Sequence, residues 1–111
     1  MTAVHAATAP VYRIDRFVVP PAALDAFMDR VQRMQAALGG LAGCRTNLVL
    51  NSREGDASRV VTIVEWESTA AFDAAKAVMM KKYAAEGFDP AAFIRGNGIQ
   101  ADLGVYSAVA T

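Results

Sequence analysis

Cysteine, histidine and tryptophan each occur once in the 111 residues, and charged side chains make up only 20% of them. A lone Cys44 forms no intrachain disulfide and no cysteine zinc cluster, which favours a reducing, cytoplasmic setting. His5 is the only imidazole, so neither a His-based metal site nor a His-containing triad is supported. No charge sign dominates: Lys plus Arg and Asp plus Glu each total 11. The electrostatic footprint of a DNA- or RNA-binding surface is therefore missing. Long hydrophobic runs are missing too. The longest uncharged stretch, Met1 to Tyr12, is broken by His5, Thr8 and Pro10, which is too short and mixed to span a membrane. It also has no basic region or apolar block of a signal peptide.

Apolar surface, by contrast, is abundant. Hydrophobic residues make up 54% of the chain, and the mean hydropathy is +0.24. A mass of 11.8 kDa is room for one domain. Such a domain buries only about 65% of its unfolded surface. An internal cavity or a subunit interface is therefore expected to take the apolar surplus.

Along the chain, residues 1–10 (MTAVHAATAP) read as a loose arm and residues 11–111 as the folded domain. Val11 to Val19 is β-branched and aromatic enough for a strand, ended by Pro20-Pro21. Leu24, Phe27, Met28, Val31, Met34 and Leu38 form an amphipathic helical stripe, stopped at Gly39-Gly40. Gly43 to Asn51 and Ser58 to Glu67 read as strands joined by a polar turn over Ser52 to Ala57, an antiparallel hairpin. Ser68-Thr69 can cap a second helix, with Phe72, Ala75, Met79, Met80 and Tyr83 on one side and an end near Gly87. Phe88 to Gly98 reads as a loop with one short helical turn after Pro90, and Ala101 to Val109 as a last strand.

Strand, helix, strand, strand, helix, strand predicts an α+β, ferredoxin-like βαββαβ fold: a four-stranded antiparallel sheet with both helices on one face. In the third strand Val60, Thr62, Val64 and Trp66 fall on one side, and Val61, Ile63, Glu65 and Glu67 on the other. Both sides carry β-branched apolar residues. A homodimer is the simplest way to cover the second face.

Several segments resemble the antibiotic biosynthesis monooxygenase family of dimeric α+β barrels. They are the first strand with Pro20-Pro21, the helix from Ala22 to Leu38, and Leu41-Ala42-Gly43-Cys44 leading into strand two. The strongest is Ile63-Val64-Glu65-Trp66-Glu67-Ser68 followed by Ala70, Ala71 and Phe72. The resemblance spans roughly residues 11 to 109. It implies a dimer whose two sheets form a barrel, with ligand cavities between each sheet and its helices. It also implies two chemistries: oxygenation of anthrones or quinols without metal or organic cofactor, and haem degradation. The haem-degrading branch is similar in its strand-one Asn (Asp15 here) and its strand-three Trp (Trp66 here). It ligates haem through a helix-two His, however, and that helix contains none.

Candidate site residues follow from both lines of reasoning. Trp66 offers a flat apolar wall and one N–H donor for a polycyclic ligand, or else is a core or interface residue. Asp15, on the same strand face as Phe17, is a candidate general base or a partner for Arg13. Asn47 is a candidate for orienting an oxygen. Tyr83 and Tyr106 are candidate hydrogen-bond partners for a phenolic ligand. Arg95 is a candidate for stabilising an enolate or phenolate from the loop. Related anthrone oxygenases place an amide near the Trp; here Thr62, four residues before Trp66, offers a hydroxyl instead. Cys44 reads as a small buried hydrophobe.

The leading expectation is a cofactor-independent monooxygenase that uses molecular oxygen on a small quinol, phenolic or anthrone-like substrate. The alternatives are a non-catalytic ligand-binding or dimerisation module of the same fold, and an isomerase-like use of the pocket. An Asp15 open to bulk solvent, or a Trp66 without a neighbouring cavity, would favour the non-catalytic reading.

Overall fold

The computed structural model describes residues 9–109. Apart from its last two residues, the expected arm over 1–10 lies outside them, as does His5.

Local chemistry sets most element boundaries. Strand β1 (Val11–Val19) stops where Pro20 removes a backbone donor, and Pro21 opens a single 3-10 turn (Pro21–Ala23) that feeds helix α1 (Leu24–Gly39). The predicted stripe points inward, with Phe27, Val31 and Leu38 buried. Strands β2 (Cys44–Glu54) and β3 (Ala57–Trp66) form the hairpin. They run longer than their sequence implied, because Gly55 and Asp56 alone make the turn. Gly55 takes φ 61° there, the left-handed value at the first central position that a tight hairpin turn assigns to glycine.

Helix α2 (Thr69–Glu86) starts on Ser68, whose hydroxyl accepts from the Ala71 N–H at 3.1 Å, and ends on Gly87 at φ 66°. Its apolar residues wrap more than one face. Ala75 and Met79 are buried, while Met80, 100° further round, is 63% exposed. The short helical turn expected after Pro90 is present as helix α3 (Pro90–Gly96), capped by the Asp89 carboxylate on the Ala92 N–H at 3.2 Å. Strand β4 (Gln100–Tyr106) closes the sheet and stops short of the predicted Val109.

The strand order is β2-β3-β1-β4, with antiparallel pairing throughout. The α+β ferredoxin-like sheet is therefore present, but the expected barrel is not. The four strands form an open sheet whose edges, β2 and β4, do not pair with each other. Closure requires strand number, tilt and stagger to match so that the last strand meets the first. Four strands coated by helices on one face have no such geometry.

Register fixes what each face carries. Asp15 stands opposite Thr62 on β3 and Leu103 on β4; Arg13 stands opposite Val64 and Val105. Val11, Arg13, Asp15, Phe17 and Val19 thus share the helix-facing side with Val60, Thr62, Val64 and Trp66. Two apolar clusters occupy that side. One gathers around Phe17, Phe27, Val31 and Val60, the other around Leu38, Val64, Trp66 and Met79. Neither contains Arg13, Asp15 or Thr62, which lie between them as a polar belt across the sheet floor.

The opposite face carries Leu48 and Leu50, nearly half exposed, beside partly exposed Val61 and Ile63.

Candidate active site

The belt forms the floor of a cavity of about 1000 Å³ between the sheet and helices α1 and α2. That is the upper end of the range for pockets that enclose drug-sized ligands. Val64 and Trp66 continue the floor, Met34 and Val31 come from α1, and Met79 and Tyr83 come from α2.

Arg13 Nε donates to Asp15 Oδ1 at 2.7 Å, with side-chain exposures of 31% and 12%. The two residues are neighbours on one strand face because side chains alternate with a period of two. No fully buried side-chain nitrogen or oxygen among the described residues lacks a hydrogen-bond partner. The second Asp15 oxygen has no protein partner among the described residues, and Asp15 lines the cavity. Thr62 lines the floor beside it.

The mouth is aromatic and cationic. Tyr83 packs edge-on against Phe88 at 5.4 Å between ring centroids, and Phe88 meets Phe93 at 5.6 Å. The Arg30 guanidinium sits 3.6 Å from the Phe88 ring centroid. Burial pushes the Tyr83 phenol above its ordinary range and Glu86 adds to this, while Arg30 and Lys82 oppose it. Tyr83 therefore remains a hydrogen-bond donor at neutral pH. A hydrogen bond from Lys82 holds the Glu86 carboxyl below the usual range. Burial raises the Cys44 thiol, so the thiolate form that a nucleophile requires is disfavoured.

Of the residues singled out from sequence, Asp15, Thr62, Trp66 and Tyr83 come together in this cavity. Asn47 does not reach it. Its amide donates to the Gln35 carbonyl at 2.8 Å, and Gln35 Nε2 donates back to the Asn47 carbonyl at 3.0 Å, tying β2 to α1. Tyr106 pairs with Tyr12 on the opposite face of the sheet, and its ring lies over Gly104, where a Cβ would come within 2.6 Å of the ring. Arg95 is exposed on α3, outside the lining. In the sequence Arg13 stands out only as a partner for Asp15, although its spacing of two residues places it on the same face. Arg30 and Phe88 gave no local signal; they meet only through the packing of α1 against the end of α2.

The fold and cavity define a ferredoxin-like α+β domain with a ligand-sized pocket between sheet and helices. A family model for antibiotic biosynthesis monooxygenases matches residues 10–80, and the chain belongs to that family. Among solved structures, the chain is similar to a mutant form of SnoaB from Streptomyces nogalater, a cofactor-independent oxygenase. The identity is 24% and the TM-score 0.62, with 93% of this chain and 96% of that one covered. It is also similar to Rv0793 from Mycobacterium tuberculosis, at 19% identity and TM-score 0.65, covering 93% and 98%. A third similar structure is a dimeric ferredoxin-like protein from an uncultured marine organism, at 15% identity and TM-score 0.61, covering 92% and 98%. These likenesses carry the fold. The comparison with curated proteins returned no match.

Proposed function

We propose that this chain is a cofactor-independent monooxygenase acting on a quinol, phenolic or anthrone-like aromatic. The observation that carries the reading is the polar belt. A sheet face whose only task is packing has no use for a charged pair and a threonine between two apolar clusters, because polar groups cost free energy there unless they are satisfied. Family membership and the description of SnoaB as a cofactor-independent oxygenase support the same reading.

In this scheme, written for an anthrone-like substrate, the ring lies beside Trp66, and the cavity oxygen of Asp15 removes a proton from the activated ring methylene carbon. The delocalised anion gives one electron to molecular oxygen, and the resulting radical and superoxide combine as a peroxide. The proton held at Asp15 returns to the peroxide, which loses water together with the second hydrogen of that carbon. A ring carbonyl remains, and one oxygen molecule yields one carbonyl and one water. Tyr83 and Thr62 donate hydrogen bonds to ring oxygens as charge develops there. Asn47, Tyr106 and Arg95 take no part.

A non-catalytic module would be favoured by an exposed Asp15 or by a Trp66 without an adjoining cavity. Asp15 is instead 9% exposed, and Trp66, itself only 2% exposed, borders the cavity. Oxygen uptake with a panel of quinols and anthrones tests the proposal. Product formation that continues in the absence of oxygen overturns it.

The same reading has two copies associating through the outer sheet face, where Leu48 and Leu50 are nearly half exposed. Light scattering should then give about twice the 11.8 kDa of one chain.

A further inference from the structure

We infer that the cleft selects an aromatic ligand bearing a carboxylate, and that Arg13 receives that carboxylate. The inference rests on the aromatic cleft proposed above and adds the ligand's charge and its anchor.

A guanidinium has five N–H donors. Arg13 uses Nε on Asp15, and its two Nη groups have no protein acceptor among the described residues. Asp15 thus fixes the plane of the guanidinium through one donor and leaves the terminal fork for a ligand. That fork matches a carboxylate with two parallel hydrogen bonds. On the sheet Arg13 stands between Val64 and Val105, and Val64 belongs to the apolar cluster around Trp66, toward which a ring anchored on Arg13 can extend.

The charge balance of the cleft agrees. Arg13, Arg30, Arg33, Lys76 and Lys82 line it, against Asp15, Glu86 and Asp89. The lining therefore carries two positive charges in excess, in a chain whose net charge is zero. Asp29, outside the lining, holds Arg33 at 2.9 Å and still leaves one in excess. Glu86 is shared between Lys82 at 2.7 Å and Arg30 at 3.8 Å. An anionic ligand completes this arrangement, and a neutral one leaves the cation excess standing. With the carboxylate on Arg13, the ring extends toward Trp66 and passes the cavity oxygen of Asp15.

The test is a matched pair of probes, anthracene-2-carboxylate and anthracene-2-carboxamide, titrated under nitrogen so that no turnover intervenes. Trp66 is the only tryptophan and lines the cleft, so quenching of its emission reports occupancy. The carboxylate is the better hydrated probe and would lose to the carboxamide in a merely apolar cavity. The expected result is the reverse, with the carboxylate bound at least about tenfold more tightly. That preference should shrink as salt is raised. Arg13→Gln should bring the carboxylate down to the affinity of the carboxamide.

Equal affinities, or a preference for the carboxamide, overturn the inference while leaving the aromatic cleft intact. A carboxylate preference that survives in folded Arg13→Gln also overturns it. If neither probe binds, the aromatic cleft itself fails, and this inference with it. Should Arg13→Gln not fold, the probe pair and its salt dependence in the unaltered protein decide the matter.

Discussion

Removing the Arg13–Asp15 pair in two ways separates a binding device from a structural staple. A charged pair buried in an apolar face contributes little net stability, yet breaking it by removing one partner abandons a charge, at about 3–5 kcal/mol when burial is complete. The exposures here, 31% for Arg13 and 12% for Asp15, lie between that limit and a surface pair worth about 0–1 kcal/mol. Arg13→Met leaves the less exposed carboxylate alone and should cost about 2 kcal/mol; Asp15→Leu leaves an arginine that reaches solvent more easily and should cost about 1 kcal/mol. The double variant, Arg13→Met with Asp15→Leu, abandons no charge and joins the two apolar clusters. Its stability should equal or exceed that of the parent, while oxygen uptake is lost. Urea denaturation followed by far-UV circular dichroism provides the assay. With a slope of about 1–3 kcal/mol per molar, a 2 kcal/mol loss moves the midpoint by roughly 1 M. All four proteins must be compared at one protomer concentration, since association shifts apparent stability. A double variant as unstable as the sum of the singles would refute the reasoning, because the pair would then be holding the fold together.

Trp66, only 2% exposed, serves both core and cavity. Trp66→Ala should therefore cost about 3–5 kcal/mol and lower Tm by at least about 10 °C, whereas Trp66→Phe should fold and keep an apolar wall, as thermal melts and probe binding will show. Gly43 holds φ 86°, and a Cβ there would sit 2.6 Å from the Ala71 Cβ. Gly43→Ala should destabilise by more than about 1 kcal/mol in denaturant titration, and a neutral result would contradict this packing of the β2 start on α2. Among the three tyrosines, Tyr83 should ionise above the ordinary phenol range in an ultraviolet pH titration, since burial and Glu86 both resist its charge. A raised pKa in the folded state means that the neutral phenol is favoured by folding. Its contribution to stability is present while the phenol stays protonated in both states. It is lost as pH rises past the unfolded value, where only the unfolded chain ionises, and the loss levels off above the folded one.

Much of the fold was legible because its signals are local. Ser68 and Gly87 bracket α2 by capping chemistry, and Pro20-Pro21 separates β1 from α1 whatever the rest of the chain does. The alternation of Val60, Thr62, Val64 and Trp66 against Val61, Ile63 and Glu65 is likewise a property of the backbone pleat. The candidate site was legible to the extent that it follows this alternation. Asp15 and Trp66 each share a strand face with core residues, so both reach the helix side.

Other assignments required distances between segments remote in sequence. Asn47 has the right facial parity, opposite Val64, but Gln35 of α1 covers its amide. Tyr106 has the wrong parity, because β4 meets β1 in a register that pairs it with Tyr12. Arg30 and Phe88 become neighbours only when α1 lies beside the end of α2. The open sheet in place of a barrel is of the same kind, since edge pairing is a relation between strands and not a property of either one.

By itself, the sequence determined the elements, their caps, the polar interruption at Arg13, Asp15 and Thr62, and the surplus of apolar residues. These depend on backbone geometry over a few residues, which side-chain chemistry controls directly. Only the tertiary structure decided that the interruption falls between two apolar clusters, beneath a cavity, with one arginine donor spent on Asp15 and the fork left open. Strand register and helix placement are cooperative outcomes of burying the whole apolar set at once, so no local stretch of the chain encodes them.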